Sequence, residues 1–409
     1  MRLHFNFRVY PTPSQALNAR RVFGCKRAVW NEALARIAAV KASNKLLGNP
    51  TNRIAEGPWM QIPKNPDLAK ELITSAKKTP ERAWLSDAPV GVLQQTLRDL
   101  DKAWAAHEDS KTGRRAGPKV EPPRFKSKKD TRQTARFTRS DRWSITTDGK
   151  LRLPKIGDLR VKWTRDLPSE PSSATLVKDS SGRYFASFVV ESDPATDILP
   201  PTDGDQGLDL GLTRFAALAD GTHIHSPKYL RRAEKKLKKR QQELSRKQKG
   251  SKNRDKARVK VARAHAEVAD ARRNFHHQWS HKLTSENQAV YAENLNARGL
   301  ARGLHAKSLH DAGWAQFLIF LDYKAARRGR TFAKVDRYFP SSQICSTCGF
   351  RDGPKPLHVR TWTCSECGAV HDRDWNAGKN VRYEGRRLTV AAKAPPTPGP
   401  GAPESKHSG

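Results

Sequence analysis

The first ten residues alternate. Leu3, Phe5, Phe7 and Val9 fall on one side and His4, Asn6 and Arg8 on the other, the two-residue period of a half-buried strand. Thr12, Pro13 and Gln15 then carry a helix-start signature: Thr12 as N-cap, Pro13 at the first helical position, Gln15 completing a capping box. Val22, Cys25, Val29, Ala33 and Ile37 recur at helical spacing and predict one helix to about residue 45, with Cys25 a small buried apolar residue. Residues 48–80, rich in Asn, Pro and Lys, read as irregular. A second helix runs over Leu93, Leu97, Leu100 and Trp104, and residues 111–140 read as a basic, loop-like stretch. Strand patterns return at 150–153, 159–163, 174–178 and 184–192, where Arg160 and Lys162 alternate with Leu159, Val161 and Trp163. With residues 3–10 these predict a small β-barrel or curved sheet with the helices inserted into it.

After a linker at 194–205 the pattern changes. Short strands at 206–212, 215–219 and 222–225 are joined through an Asp220-Gly221 turn. Residues 228–275 read as a charged helical hairpin broken at Lys249, Gly250 and Ser251, with one thin apolar stripe. A strand at 289–295, an amphipathic helix at 311–328, a strand at 331–336 and a short helix at 375–385 follow. Alternating strands and helices of this kind make an α/β multidomain chain.

Charge adds a partner. The 409 residues hold 77 Lys+Arg against 41 Asp+Glu, a formal net charge of +36. A chain so basic attracts polyanions, and nucleic acid is the leading candidate. Mean hydropathy is −0.78 and there is no long apolar run, which disfavours a membrane partner. Arg124, Phe125 and Lys126 interleave cations with a ring, as a segment tracking phosphates and stacking on a base would. Lys235, Lys236, Lys239 and Arg240 form the densest basic run of the hairpin.

Four of the five cysteines fall into two pairs, Cys345/Cys348 and Cys364/Cys367. Two CxxC turns fifteen residues apart fit a closed, structural zinc site, and Gly349 and Gly368 suit the tight turn after each pair. With no secretory signal evident, this thiol usage suggests a reducing, cytoplasmic setting.

Three carboxylates share a logic of position. Asp209 lies between Leu208 and Leu210 in an apolar strand, where a lone charge is costly. Glu293 closes a later strand. Asp374 opens the last helix, with Asp372 as a competing ligand and an N-cap as its plainer role. A strand hairpin, a helix, an acid-tipped strand and a final helix outline an RNase H-like fold, in which converging acids hold two divalent metals for phosphodiester hydrolysis, Mg²⁺ or Mn²⁺ suiting such hard oxygen ligands.

The order Gly207-Leu208-Asp209-Leu210-Gly211-Leu212-Thr213-Arg214-Phe215-Ala216, Ala292-Glu293-Asn294-Leu295, Phe339-Pro340-Ser341-Ser342-Gln343 leading into the first cysteine pair, and His371-Asp372-Arg373-Asp374-Trp375-Asn376-Ala377 resembles TnpB proteins, the OrfB-type RNA-guided nucleases of insertion sequences related to type V CRISPR effectors. The resemblance covers nearly the whole chain. Small departures are Tyr291-Ala292 before the glutamate and Gly378 where alanine is commoner. It implies a RuvC-like nuclease with Asp209, Glu293 and Asp374 as its magnesium-binding acids, a guide RNA from the transposon end, and double-stranded target DNA cut beside a short motif read by the N-terminal half. It further implies a wedge-like β-barrel domain at 1–10 and 135–200, a helical recognition domain at 11–134, the nuclease domain at 204–340 and 372–393, a zinc ribbon at 341–371 and a disordered tail at 394–409. Three rivals remain: an RNA-guided binder that does not cut, a DNA-joining transposase using His223 and His225 with Tyr229, and a zinc-ribbon nucleic-acid-binding module without enzymology, which leaves the set of acids unexplained.

Overall fold

Strand β1 (Arg2–Tyr10) buries Phe5, Phe7 and Val9 and turns the alternate side chains outward, as its sequence predicts. At its end Thr12 N donates to Gln15 Oε1 at 2.9 Å and Gln15 N to Thr12 Oγ1 at 3.3 Å, the reciprocal capping box that starts helix α1 (Pro13–Leu47). These elements belong to the first of two compact units in the computed structural model, Met1–Asp193; the second is Pro194–Gly409. Residues 1–49, 52–53, 60–130, 132–295, 299, 303, 306–356 and 358–393 are described, so the 394–409 tail lies outside the described residues.

In the first unit, α1 and helix α2 (Val90–Lys111) pack on a seven-stranded antiparallel sheet. Its further strands are β2 (Gln133–Thr138), β3 (Ser144–Ile145), β4 (Leu151–Leu153), β5 (Gly157–Lys162), β6 (Ser173–Lys178) and β7 (Tyr184–Glu191), in the order β2-β6-β7-β1-β5-β4-β3. Strand β2 falls in the stretch read as basic loop; Ala135 and Phe137 of it are fully buried. The stretch read as irregular also carries structure. The helix Asn65–Ala69 and the helical turns up to Asp87 bury Leu68, Leu72, Ile73 and Leu85. Pro66 and Pro80 restart the chain so often that no helical period accumulates.

The outward face of this sheet carries a grid of cations and rings. Arg8 lies opposite Phe185 on β7 and opposite Lys162 on β5, and Tyr10 lies opposite Arg160. The Arg8 guanidinium sits 5.0 Å from the Phe185 ring centre and 5.4 Å from that of Tyr10; Arg183 sits 5.4 Å from Phe185 and Arg160 4.9 Å from Tyr10. Two flanking carboxylates, Asp158 and Asp179, pair with Arg152 at 2.7 Å and Arg183 at 2.8 Å. Like charges directly across a sheet are destabilising; Arg8 faces Lys162 in this way, with its Nη1 donating to the Tyr184 carbonyl at 3.3 Å.

The second unit is built on a five-stranded sheet of β8 (Asp205–Leu210), β9 (Arg214–Leu218), β10 (His223–His225), β11 (Ala289–Glu293) and β12 (Thr331–Val335), ordered β10-β9-β8-β11-β12. The first three are antiparallel; β8, β11 and β12 run parallel. Between β10 and β11 run α3 (Tyr229–Ser245) and α4 (Lys252–Glu286), hinged at Gly250 in the left-handed region, with Ser251 Oγ accepting from Arg254 N at 3.1 Å to cap α4. The helix expected at 311–328 is present as α6 (Trp314–Arg327), set off by Gly313, whose φ is +65°, from a preceding short helix α5 (Ala306–Ala312). Asp311 is thereby freed to cap α3, accepting from Leu230 N at 2.9 Å.

One face of this sheet, with Leu208, Leu210, Val290 and Ala292, packs on Phe275, Trp314, Phe317 and Leu321 of α4 and α6. The other face meets helix α7 (Arg373–Lys393), which is longer than the short helix expected at 375–385. Along α7, Asp374, Gly378, Val381 and Gly385 form one stripe at helical spacing. The stripe lies against Gly207 and Tyr291. A methyl group on Gly207 would overlap the Gly378 carbonyl oxygen and stand 2.6 Å from Arg382 N; one on Gly385 would overlap the Tyr291 ring. Gly378 leaves 3.2 Å to the Ala217 oxygen and the Ala219 nitrogen. The two departures noted in the sequence, Tyr291 and Gly378, therefore both sit in the α7 contact, the larger ring fitted by a glycine opposite.

Gly207→Ala should destabilise the second unit by about 3 kcal/mol through overpacking, lowering its Tm by roughly 10 °C. Thermal unfolding of Gly207→Ala beside wild type checks it, and equal melting would refute the backbone contact.

Candidate active site and metal centre

Strand register brings the first two acids together. Leu208 pairs with Ala292 across the parallel β8–β11 ladder, so Asp209 and Glu293 follow at the same level on neighbouring strands. Successive side chains alternate between faces. Leu208 and Ala292 take the α4/α6 face, so Asp209 and Glu293 point to the α7 face, as Gly207 and Tyr291 do two residues earlier. Asp374 reaches that face from the first turn of α7.

The Asp372-Arg373-Asp374 run divides two tasks. Asp372 Oδ1 accepts from Asp374 N and from Trp375 N, each at 3.0 Å, and so caps α7. The Asp374 carboxylate is left out of the cap. Its Oδ1 lies 3.2 Å from Arg360 Nη1 and its Oδ2 3.8 Å from Arg214 Nη1, which also stands 3.5 Å from Asp372 Oδ2. Trp375 Nε1 donates to the Ala219 carbonyl at 2.9 Å, tying the start of α7 to the end of β9.

The acids feel one another. Burial first, then the charges of Glu293 and Asp374, raises the Asp209 carboxyl well above the usual carboxylate range, while Arg373 and Arg360 oppose the rise. Burial also raises Glu293, against a hydrogen bond from Ser341 Oγ to Glu293 Oε1 at 2.6 Å. A site of mutually repelling, partly buried carboxylates is one that a divalent cation with oxygen preference would relieve. The acids are less tightly gathered than the cysteines, which are the described group whose ligand atoms all lie within 4.8 Å of one another.

Among the cysteines, Cys345 Sγ and Cys367 Sγ are 3.7 Å apart, and Cys348 Sγ and Cys364 Sγ 3.8 Å. These are not disulfide distances. Four sulfurs at Zn–S ≈ 2.3 Å stand about 3.8 Å apart at the corners of a tetrahedron. The cluster could thus hold a metal such as zinc. Gly349 and Gly368 have φ of +79° and +71°, and their N–H groups donate back to Cys345 O at 2.9 Å and Cys364 O at 3.0 Å, closing each knuckle. Burial would raise the Cys345 thiol, but donors from Cys348, Thr347 and His371 bring it down to about 5, toward the thiolate that binds metal. His371, whose Nε2 is 3.1 Å from Cys345 Sγ, lies with its ring centre 4.8 Å from that of Trp362, the planes tilted by 41°.

Other sequence candidates are dispersed. Phe125 is exposed, while Arg124 and Lys126 accept through their carbonyls from Trp30 Nε1 at 3.0 Å and Asn31 Nδ2 at 2.9 Å. Lys126 Nζ lies 3.3 Å from the Trp30 ring centre, so its ammonium is held on the protein. Lys235 and Lys239 are exposed on α3, Lys236 pairs with Glu267, and Arg240 pairs with Glu243 at 2.9 Å. His223 and His225 lie on the edge strand β10, and the Tyr229 ring packs edge-on to Phe275. Ser341, Arg214, Arg360, Asn376 and Asn380 were not singled out from sequence, although Arg214, Ser341 and Asn376 fall inside the quoted motifs.

Comparison with known proteins follows this geometry. Residues 1–45, 187–303 and 314–381 match family models described as "Helix-turn-helix domain" of OrfB_IS605, "Probable transposase" of OrfB_IS605 and "Cas12f1-like, TNB domain". A Streptomyces pristinaespiralis protein named "Putative RNA-guided DNA endonuclease" is 40% identical over 386 residues, 93% of this chain and 89% of that protein. An Escherichia coli K12 protein named "Putative RNA-guided DNA endonuclease InsQ" is 28% identical over 406 residues, covering 95% and 94%. The solved structure "Cryo-EM structure of the Cas12f1-sgRNA-target DNA complex" aligns with TM-score 0.50 at 14% identity, over 90% of this chain and 82% of that one, a likeness of fold. On these matches the chain belongs to the OrfB_IS605, or TnpB, family of transposon-encoded proteins.

Proposed function

We propose that this chain is an RNA-guided DNA endonuclease whose hydrolytic centre is Asp209, Glu293 and Asp374. The observation that carries the reading is the common face: two acids level on adjacent parallel strands, a third from the opposing helix, and the charges of Glu293 and Asp374 both acting on Asp209. The strand order, with three antiparallel strands followed by two parallel ones, supports an RNase H-like, RuvC-like assignment. The names of the relatives support a guide RNA and a DNA target. Bound divalent cations would activate the attacking water and stabilise the leaving oxygen. The chain's own residues supply the rest. Asp209, Glu293 and Asp374 offer oxygen ligands, Ser341 orients Glu293, and Arg360 and Arg214 offset charge beside Asp374. Zinc would occupy the four-cysteine cluster and stiffen the segment before α7 by on the order of 10 kcal/mol.

For the nucleic acid, the proposal places guide RNA against the cation-and-ring grid of the first unit. Base pairing would supply sequence and the protein would grip backbone and shape. Closure of the antiparallel sheet into a wedge-like barrel belongs to the same reading.

The decisive experiment expresses the chain with its downstream transposon-end DNA, sequences bound RNA and assays Mg²⁺-dependent cleavage of a matching plasmid. Bound RNA with cutting abolished by Asp209→Ala, Glu293→Ala or Asp374→Asn is expected. RNA and stable target binding without cutting would leave an RNA-guided binder; strand joining without RNA would leave a transposase.

The raised acids also set a pH dependence. The folded, metal-free chain holds the Asp209 proton more tightly than the unfolded chain does, so this contribution to stability is present at low pH and lost as pH rises through the raised titration range. Asp209→Asn should therefore melt above wild type at pH 8 without metal and differ less at pH 5, read by thermal unfolding; a constant difference across that range would contradict it.

Cys345→Ser should lower zinc content and speed hydrogen exchange over residues 341–376. Unchanged zinc and exchange would remove the cluster from the folding of that segment.

On the grid, Tyr10→Ala should weaken RNA binding ~10-fold with Tyr10→Phe near wild type, and Lys162→Gln should reduce the salt slope by about 0.7. Binding isotherms at several salt concentrations decide, and unaltered slopes and affinities would clear the grid of RNA.

A further inference from the structure

Glu293 is the longest and most rotatable of the three acids, and it stands at the last residue of β11, where the ladder with Val335 of β12 holds its backbone but not its side chain. Something must choose its rotamer. The neighbouring group that does so comes from neither its own strand nor α7, but from the turn that leads into the first cysteine knuckle. Ser341 is buried, and its hydroxyl donates to Glu293 Oε1 at 2.6 Å, a length in the range of charge-assisted O–H···O⁻ bonds. Since a hydroxyl has one proton, this bond engages one carboxylate oxygen and leaves the other for a ligand role.

Ser341 is itself held. Asn380 Nδ2 donates to the Ser341 carbonyl at 2.8 Å and to the Ile344 carbonyl at 2.6 Å. One turn earlier on α7, Asn376 Nδ2 donates to the same Ile344 carbonyl at 2.7 Å, and Asn376 Oδ1 accepts from Ser346 N at 2.8 Å. Both asparagines are buried, at 2% and 6% exposure, so these bonds are made away from competing water. The turn is closed by Ser341 N donating to Phe339 O at 2.9 Å and Gln343 N to Pro340 O at 2.9 Å. The chain from α7 to Glu293 is continuous: asparagine amides, turn carbonyls, serine hydroxyl, carboxylate.

We infer that Ser341 is a positioning residue for Glu293, held in register by Asn380 and Asn376, so that helix α7 fixes two of the three acids, Asp374 directly and Glu293 through the turn. The inference rests on the hydrolytic reading above for what Glu293 does, and on these contacts alone for how it is oriented. Partners that orient a metal-binding group are worth 10- to 100-fold in metal affinity. Ser341 does not itself reach the reacting atoms in this role.

The test uses the full chain freed of nucleic acid, with Mn²⁺ as probe and free Mn²⁺ followed by electron paramagnetic resonance. Glu293→Gln defines the loss expected when the acid itself is removed. Ser341→Ala should weaken Mn²⁺ binding ~10-fold or more, Ser341→Thr, which keeps the hydroxyl, should restore it, and zinc content and Tm should match wild type in both. In cleavage, Ser341→Ala should raise the half-saturating Mn²⁺ concentration, with the rate recovering at high Mn²⁺. Wild-type Mn²⁺ affinity in Ser341→Ala would overturn the inference. So would a loss of zinc and Tm that parallels the loss of Mn²⁺, because Ser341 would then be a structural part of the knuckle. If Glu293→Gln binds Mn²⁺ as wild type does, the hydrolytic reading of the acid fails, and the positioning role fails with it.

Discussion

The second unit depends on how closely one helix backbone approaches one sheet. Helix α7 can bring Asp374 to the level of Asp209 and Glu293 only because Gly207, Gly378 and Gly385 carry no side chain where helix and sheet touch. Any Cβ at Gly207 would lift the helix off the strand, and the lift would be felt at the far end of the same stripe, where Asp374 sits. The contact also explains why this helix is held by directional bonds along its length: Trp375 to Ala219 at its start, Asn376 and Asn380 to the knuckle turn, and Arg386 to Asp205 further on. Close approach gives dispersion contacts over a small area; the bonds fix the sliding coordinate that contacts alone leave soft.

The gathering of acids works against this framework. Burial and the charges of Glu293 and Asp374 raise the cost of ionising Asp209, and Arg373 and Arg360 offset part of it, with Arg360 and Arg214 standing beside Asp374. Asp372 shows the opposite solution: an aspartate two residues away takes two backbone N–H groups and becomes a cap. Identical side chains in one short run thus serve different ends because the helix begins between them. The cysteine cluster sits on the same framework, since the turn that enters its first knuckle is the turn that contacts Glu293.

Features carried by local chemistry were legible in the sequence. The capping box at Thr12, the alternation of β1, the hairpin break near Gly250 and the CxxC turns each depend on residues within a few positions. Of the three acids, Asp209 stands out alone as a charge between two leucines of an apolar strand, whereas Glu293 and Asp374 have ordinary readings as a strand end and a helix cap and are joined to it by the order of the motifs. What escaped was of two kinds. Short proline-punctuated turns at 65–87 and the strand at 133–138 have too little period to stand out, though they bury Leu72, Leu85 and Phe137. The partners of the site, Ser341, Asn380, Arg214 and Arg360, act on groups far along the chain, and no local pattern records a distant contact. Tyr291 and Gly378 read in the sequence as isolated departures; in the fold Tyr291 lies under α7, opposite Gly385, and Gly378 stands on the contact stripe of α7 itself.

The cap at Asp372 carries a consequence for how the chain can tolerate insertions and deletions. Thr361, Trp362 and Thr363 pair with Asp372, His371 and Val370, and an α-helix turns about 100° per residue, so adding or removing one residue between the second knuckle and Asp372 would shift that register and the point at which the cap starts α7, turning the whole Asp374–Gly385 stripe away from the sheet. The interval from Gly368 to Asp372 is therefore locked in length. The loop between the knuckles is tied to α7 more loosely, through the Arg373 guanidinium, which donates to the Lys355 and Pro356 carbonyls at 3.2 and 2.7 Å. Length variation among relatives should collect in that loop and spare the few residues that follow the last cysteine.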